Sequence, residues 1–110
     1  MRVLELEIHQ VDVVDENEVA VTLRCLLGPA RLGARFDRIR PEPEGAGFDL
    51  VRESGAALDL ELTRILFRGR DLDALDPGLT ALVALRGTGT HLLRPATQTS
   101  WRILQGSNPP

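Results

Sequence analysis

The chain reads as an all-β protein, a small closed β-barrel of six or seven short strands. Three observations predict this. Apolar and polar residues alternate with a two-residue period in successive segments, as in Leu4-Glu5-Leu6-Glu7-Ile8 and Leu58-Asp59-Leu60-Glu61-Leu62. Turn formers divide these segments: Gly28-Pro29, Arg68-Gly69-Arg70, Pro77-Gly78 and Gly87-Thr88-Gly89. No stretch carries the sustained periodicity of a packed helix. Short strands with bulges and glycine corners favour a closed sheet, because closure removes exposed edges.

The first strand starts with Leu4, Leu6 and Ile8 on one face, and its apolar parity then switches to Val11 and Val13. A bulge near His9 and Gln10 accounts for the switch. Asp15-Glu16-Asn17-Glu18 is a hairpin turn between two β-rich runs. The second strand runs from about Val19 to Leu27, with Val19, Val21, Leu23, Cys25 and Leu27 sharing a face. Gly28-Pro29 stops it, and Gly33 takes a positive φ in the turn that follows. The third strand spans about Ala34 to Arg40, and Pro41 to Gly47 is an exposed acidic loop. Phe48 to Val51 is either a short edge strand or an apolar pin for that loop.

Leu58, Leu60 and Leu62 continue as Ile65 and Phe67 on the opposite parity, which places a second bulge near Thr63 and Arg64. Asp71 to Asp76 is expected to form one helical turn with Leu72 and Leu75 on one side. Leu79, Ala81, Val83 and Leu85 make the next strand, and Leu82 on its other face implies burial on both sides. A last strand spans about Thr99 to Leu104, with Trp101 and Ile103 on one face. Residues 1–104 are therefore read as a single barrel domain and residues 105–110 as a flexible tail. With aromatics at only 4% of the chain, leucine, valine and isoleucine must fill the interior.

The length of 110 residues allows one compact domain with its own core. No apolar run approaches the roughly 18 residues needed to cross a bilayer, and the acids inside the first apolar segment are unlike a secretory signal. Cys25 is the only cysteine and shares the apolar face of its strand, so it is expected to be buried and unreactive. These features point to a cytoplasmic protein with no membrane partner. The formal net charge is −3, from 13 bases and 16 acids, and every base is arginine. A net negative domain is a poor general binder of nucleic acid, and DNA is not an expected partner.

The residues offer no catalytic constellation, no cofactor motif and no metal cluster. Asp71, Asp73 and Asp76 lack the glycine and terminal glutamate of a calcium loop. His9 and His91 have no partner at ligand spacing, and His9 lies on the polar face of its strand. Ser54, Ser100 and Ser107 lack the turn that exposes a nucleophile. Gly87-Thr88-Gly89-Thr90 has no following helix whose dipole could hold a phosphate.

Two segments carry a family likeness. The first is Arg24-Cys25-Leu26-Leu27-Gly28-Pro29-Ala30-Arg31-Leu32-Gly33-Ala34-Arg35-Phe36, and the second runs from Leu75-Asp76-Pro77-Gly78 through the apolar strand to Arg86-Gly87. Together, in this order, they resemble the second domain of translational GTPases, the β-barrel beside the G domain in elongation factor Tu and its relatives. Arg24, Gly28, Arg31, Leu32, Gly33 and Phe36 match that family's first motif, and the likeness covers roughly residues 18 to 88. It implies a small barrel. In the factors this domain contacts the aminoacyl end of tRNA or the ribosome. Leu26 stands where the factors place an acid, and no Walker-type segment is present, so GTP hydrolysis is not expected here.

Arg31, Arg35, Arg38, Arg40, Arg64, Arg68 and Arg70 are the candidate binding surface. Alternation puts Arg38 and Arg40 on one face, and the preceding corner brings Arg31 towards them. A basic patch of this kind suits RNA or an acidic protein. The ordinary alternative is a solvated exterior balanced by Asp37, Glu42 and Glu44. Trp101-Arg102 is either an interaction anchor or, more simply, a core-filling tryptophan beside a surface arginine. The expected function is a non-enzymatic binding module acting on another protein. An RNA- or ribosome-associated module using the arginines is the alternative.

Overall fold

The computed structural model describes residues 3–42, 58–93 and 101–110. The described chain is all-β. Its strands are β1 (Leu4–Val14), β2 (Glu18–Leu27), β3 (Ala30–Arg31), β4 (Arg35–Glu42), β5 (Asp59–Phe67), β6 (Arg70–Leu72), β7 (Ala74–Leu75), β8 (Thr80–Thr88) and β9 (Trp101–Ser107). One 3-10 turn, Thr90–Leu93, follows β8.

Seven strands form one sheet in the order β4-β9-β1-β2-β8-β5-β6, and β4 also pairs with β5. The pairings thus return on themselves as a ring of six strands, with β6 added beside β5. The returning pair is short, with Arg35 opposite Glu61 and Phe36 opposite Leu60. β3 and β7 form a separate two-stranded sheet.

Alternation in sequence becomes an inside and an outside. Leu4, Leu6, Val21, Leu23, Phe36, Leu60, Leu62, Leu85 and Leu104 are fully buried in one cluster. This is the aliphatic interior that a chain poor in aromatics requires. Phe36 is the one aromatic among the fully buried side chains of the described residues.

Both expected bulges occur. The β1–β2 register shifts between Ile8 and Gln10, and the β5–β8 register shifts between Leu62 and Arg64. In the second, the Thr63 hydroxyl donates to the Ala84 carbonyl at 3.2 Å. Each bulge moves the apolar parity by one position while keeping the same side of the strand inward.

Close approach explains two glycines. A Cβ at Gly106 would overlap the backbone of Arg35 where β9 pairs with β4, and one at Gly87 would overlap Asp59 where β8 pairs with β5. Gly87 also has a φ of 148°, which a side chain resists.

Several expectations need correction. Asp71 to Asp76 is not a helical turn: β6 and β7 occupy it, because β5 and β3 offer edges for pairing. Leu27 is 51% exposed, since a register shift opposite Glu5 and Leu6 turns it off the face of Cys25. Leu82 is not buried on both sides; it is 38% exposed on the outer face of β8. Gly87 and Thr88 continue β8 and do not form a turn.

Two strand ends also differ from expectation. β4 runs on into Pro41 and Glu42, which were expected to open the acidic loop. Residues 105–110 are not a frayed tail, because β9 continues to Ser107 and Asn108 is hydrogen-bonded on both sides of its amide. Phe48 to Val51 lies outside the described residues, as does the side chain of Trp101.

Candidate functional site

The structure places the seven candidate arginines on β3, β4, β5, β6 and the β5–β6 turn and does not gather them at one point. β4 and β5 meet at Arg35 and Glu61 and run antiparallel from there. Arg38 and Arg40 therefore lie along β4 in one direction, and Arg64, Arg68 and Arg70 lie along β5 and β6 in the other. At about 3.3 Å per residue, Arg38 and Arg64 are each about 10 Å from the junction on opposite sides. Arg31 sits on β3, opposite Ala74. Arg40 is on β4 opposite Ile103, and its side chain lies outside the described residues.

Two of the arginines are closed on acids. The Arg35 guanidinium donates to both carboxylate oxygens of Asp59, at 3.1 and 3.0 Å, and to Glu61 at 3.1 Å. Arg64 donates to Asp71 at 2.7 and 3.4 Å. The hydrogen bond that Arg35 donates to Asp59 holds Arg35 above its ordinary pKa, and the one that Arg64 donates to Asp71 does the same for Arg64. Reciprocally, Arg64 holds Asp71 below the usual aspartate range. All these groups are exposed, so the pairs are screened by solvent.

Arg68 is different. It lies at the β5–β6 turn, where Phe67 and Arg70 are paired across a two-residue loop. Arg68 and Gly69 have φ values of 51° and 78°, the positive pair that a type I′ hairpin turn demands. Arginine is an uncommon residue there, since asparagine and glycine tolerate positive φ far better; the conformation costs about 1 kcal/mol. The guanidinium carbon lies 5.2 Å from the centre of the Phe67 ring, a cation–π contact. Among the described residues, Arg68 has no acid at ion-pair distance.

This turn borders an open groove of about 550 Å³. Leu66, Phe67, Arg68, Leu79, Thr80 and Leu82 contribute most of its character. Leu82 of β8 is in register with Thr22 of β2 on one side and Leu66 of β5 on the other. The row crosses three adjacent strands on the outer face. Phe67 and Leu79 pack their inner edges on the core, so the floor is held from below. The sequence reading missed this site. Its signal was present: Leu66 and Leu82 fall on the otherwise polar parity of their strands.

A second groove of about 620 Å³ lies over the β4–β9 pairing, lined by Val3, Arg35, Asp37, Arg38, Asp59 and Gln105 among others. It mixes both charge signs, and its main cation, Arg35, is already engaged by Asp59 and Glu61.

The remaining chemical candidates are placed as follows. Cys25 is fully buried, and burial pushes its thiol pKa up. His9 is exposed, 2.7 Å from the Glu7 carboxylate. Asp73 and Asp76 use their backbone carbonyls, accepting from the amides of Leu32 and Leu79. Among the described residues, no three His, Cys, Asp or Glu side chains are grouped as metal ligands would be. No helix among them is long and apolar enough to cross a membrane.

Comparison of the chain with protein-family models, with curated proteins and with solved structures returns no match. Function is therefore read from geometry.

Proposed function

We propose that the protein is a non-enzymatic binding module that acts by contact with another protein, through the outer-face groove between β8 and the β5–β6 turn. The observation that carries this is Leu82, 38% exposed on the outer face of β8 and grouped in one open groove with the half-buried Leu66, Phe67 and Leu79. An apolar side chain left open beside other partly open apolar side chains and a cation is the composition of a contact surface. The interior of the ring is filled by aliphatic side chains, so the groove lies on the outside of the fold.

We also propose that the ring is a closed barrel of the translation-factor second-domain type. What supports this is the placement of the two segments that carry the likeness. The Cys25 amide donates to the Leu79 carbonyl at 3.0 Å, the Gly78 amide donates to the Cys25 carbonyl at 2.8 Å, and Ala30 pairs with Leu75. Distant in sequence, the two motifs form one packed unit. A Cβ at Gly28 would come 2.7 Å from the Cys25 sulfur and 2.8 Å from the Ala30 nitrogen, which gives the motif glycine a steric reason. The reading of this chain as cytoplasmic is part of the same proposal.

The RNA-binding alternative draws less support, because the arginines are dispersed and two of them are closed on acids. The test is co-purification from lysate of the native cells at moderate salt, with and without nuclease, for the native chain and for Leu82→Asp. The expected result is a specific protein partner that survives nuclease and is lost with Leu82→Asp. Partners that vanish with nuclease, or a partner set unchanged by Leu82→Asp, would overturn the reading.

A further inference from the structure

We infer that the groove takes an extended segment of the partner in which a carboxylate lies beside a large aliphatic side chain. The carboxylate would sit on the Arg68 guanidinium and the aliphatic group among Leu66, Leu79 and Leu82. This rests on the protein-binding reading above and adds the chemistry of the partner.

The charge of the lining selects the occupant. Among the described residues that line this groove, Arg68 is the one charged side chain, and none is an acid. Arg35 on β4 and Arg64 on β5 are already held by Asp59, Glu61 and Asp71. Arg68 lies over the Phe67 ring. A guanidinium so placed keeps N–H groups free at its edge, and a carboxylate accepts from such a planar fork with two parallel bonds.

The turn itself does not call for arginine. A type I′ position is better served by asparagine, and within the hairpin the Arg68 side chain lies against the Phe67 ring. Its use is in what it presents to the groove. A phosphate would also fit a guanidinium, but the floor here is aliphatic and its one ring is already covered by Arg68. Sequence-tolerant RNA binding needs open aromatic platforms and a continuous basic track. A net charge of −3 further disfavours a polyanion.

The inference is tested by panning a random peptide library, displayed on phage, against the immobilised protein. Binding of the selected peptides is then measured by fluorescence anisotropy to the native chain, to Arg68→Asn and to Arg68→Lys. A short oligouridine serves as the RNA probe. The expected consensus joins an Asp, Glu or terminal carboxylate to an adjacent Leu, Ile, Val or Phe. Arg68→Asn should weaken its binding about tenfold or more, with Arg68→Lys in between. The thermal midpoint of Arg68→Asn should stay close to that of the native chain, because the better fit of asparagine to the turn offsets the lost contact with Phe67; this separates lost binding from lost folding.

No consensus, a consensus without an acid, or one that binds Arg68→Asn as well as the native chain would overturn the inference. So would steeply salt-dependent oligouridine binding that Arg68→Asn abolishes, since that assigns the arginine to phosphate. If the inference fails while a co-purified partner is still lost with Leu82→Asp, the binding-module reading stands and only the acidic segment is removed.

Discussion

Asn108 closes the outer edge of β3 at Arg31, 77 residues away along the chain. Its side-chain oxygen accepts from the Arg31 backbone amide at 2.8 Å, and its side-chain nitrogen donates to the Pro29 carbonyl at 2.8 Å. One amide side chain thus makes the two bonds that a neighbouring strand would make. Asn108→Ala is expected to lower stability by about 1–2 kcal/mol, read from the urea midpoint. Asn108→Asp keeps the acceptor and loses the donor, so it should fall between Asn108→Ala and the native chain.

Gly106, pressed against a neighbouring strand, and Gly69, in the open β5–β6 turn, form a contrasting pair. Gly106→Ala drives a methyl group into the Arg35 carbonyl and the Phe36 backbone, contacts that side-chain motion cannot relieve. It should cost at least about 2 kcal/mol. Gly69→Ala meets no atom within 4 Å and pays only for its φ of 78°. Its cost should be about 1 kcal/mol. Parallel urea titrations of the two variants test the order. Equal costs would show that β4 and β9 can separate where Phe36 and Gly106 pair.

Cys25 should be inert in the folded protein. It has no solvent exposure, and burial raises its pKa, which keeps the thiol protonated. A thiol reagent at mildly alkaline pH is expected to label it only under denaturing conditions. Rapid labelling of the native chain would show that the Gly28 corner opens readily.

Asp71 should titrate below an ordinary aspartate, because Arg64 hydrogen-bonds its charged form. Carboxyl-carbon NMR across acid pH checks this, and Arg64→Ala should return Asp71 towards the usual range. The folded-state pKa lies under the unfolded one, so the pair's contribution is present at neutral pH. It is lost as pH falls from the ordinary aspartate range through the lowered folded value. Both side chains are well exposed, so the denaturation midpoint at neutral pH should barely move in Arg64→Ala.

Local signals carried much of the fold. The inward residues of β1, β2, β5 and β8 follow directly from alternation, because a strand's side chains must point to opposite faces. The parity breaks at His9 and Thr63 located the bulges, since an extra residue is the simple way to keep a core face inward. The positive φ of Gly33 was likewise legible. The stretch from Asp71 to Asp76 was misread because Leu72 and Leu75 fit a helical spacing. Strand edges elsewhere in the chain, on β5 and β3, captured it instead.

The candidate site was legible only in part. The arginines stood out by their number, but their separation depends on β4 and β5 running in opposite directions from Arg35 and Glu61. Leu82 was visible as an apolar residue on the wrong parity, and burial on both faces was its natural explanation. Only the neighbours in space, Thr22 and Leu66, turn it into the floor of an open groove.

By itself the amino-acid sequence determined the strand class, the inward face of most strands and the aliphatic character of the interior, because these depend on spacings of a few residues. The tertiary structure decided the ring order, the Asn108 clasp, the close strand pairings at Gly87 and Gly106, and the placement of Arg68 beside an apolar groove. Those depend on which distant backbones meet, a matter of long-range pairing that no local period encodes.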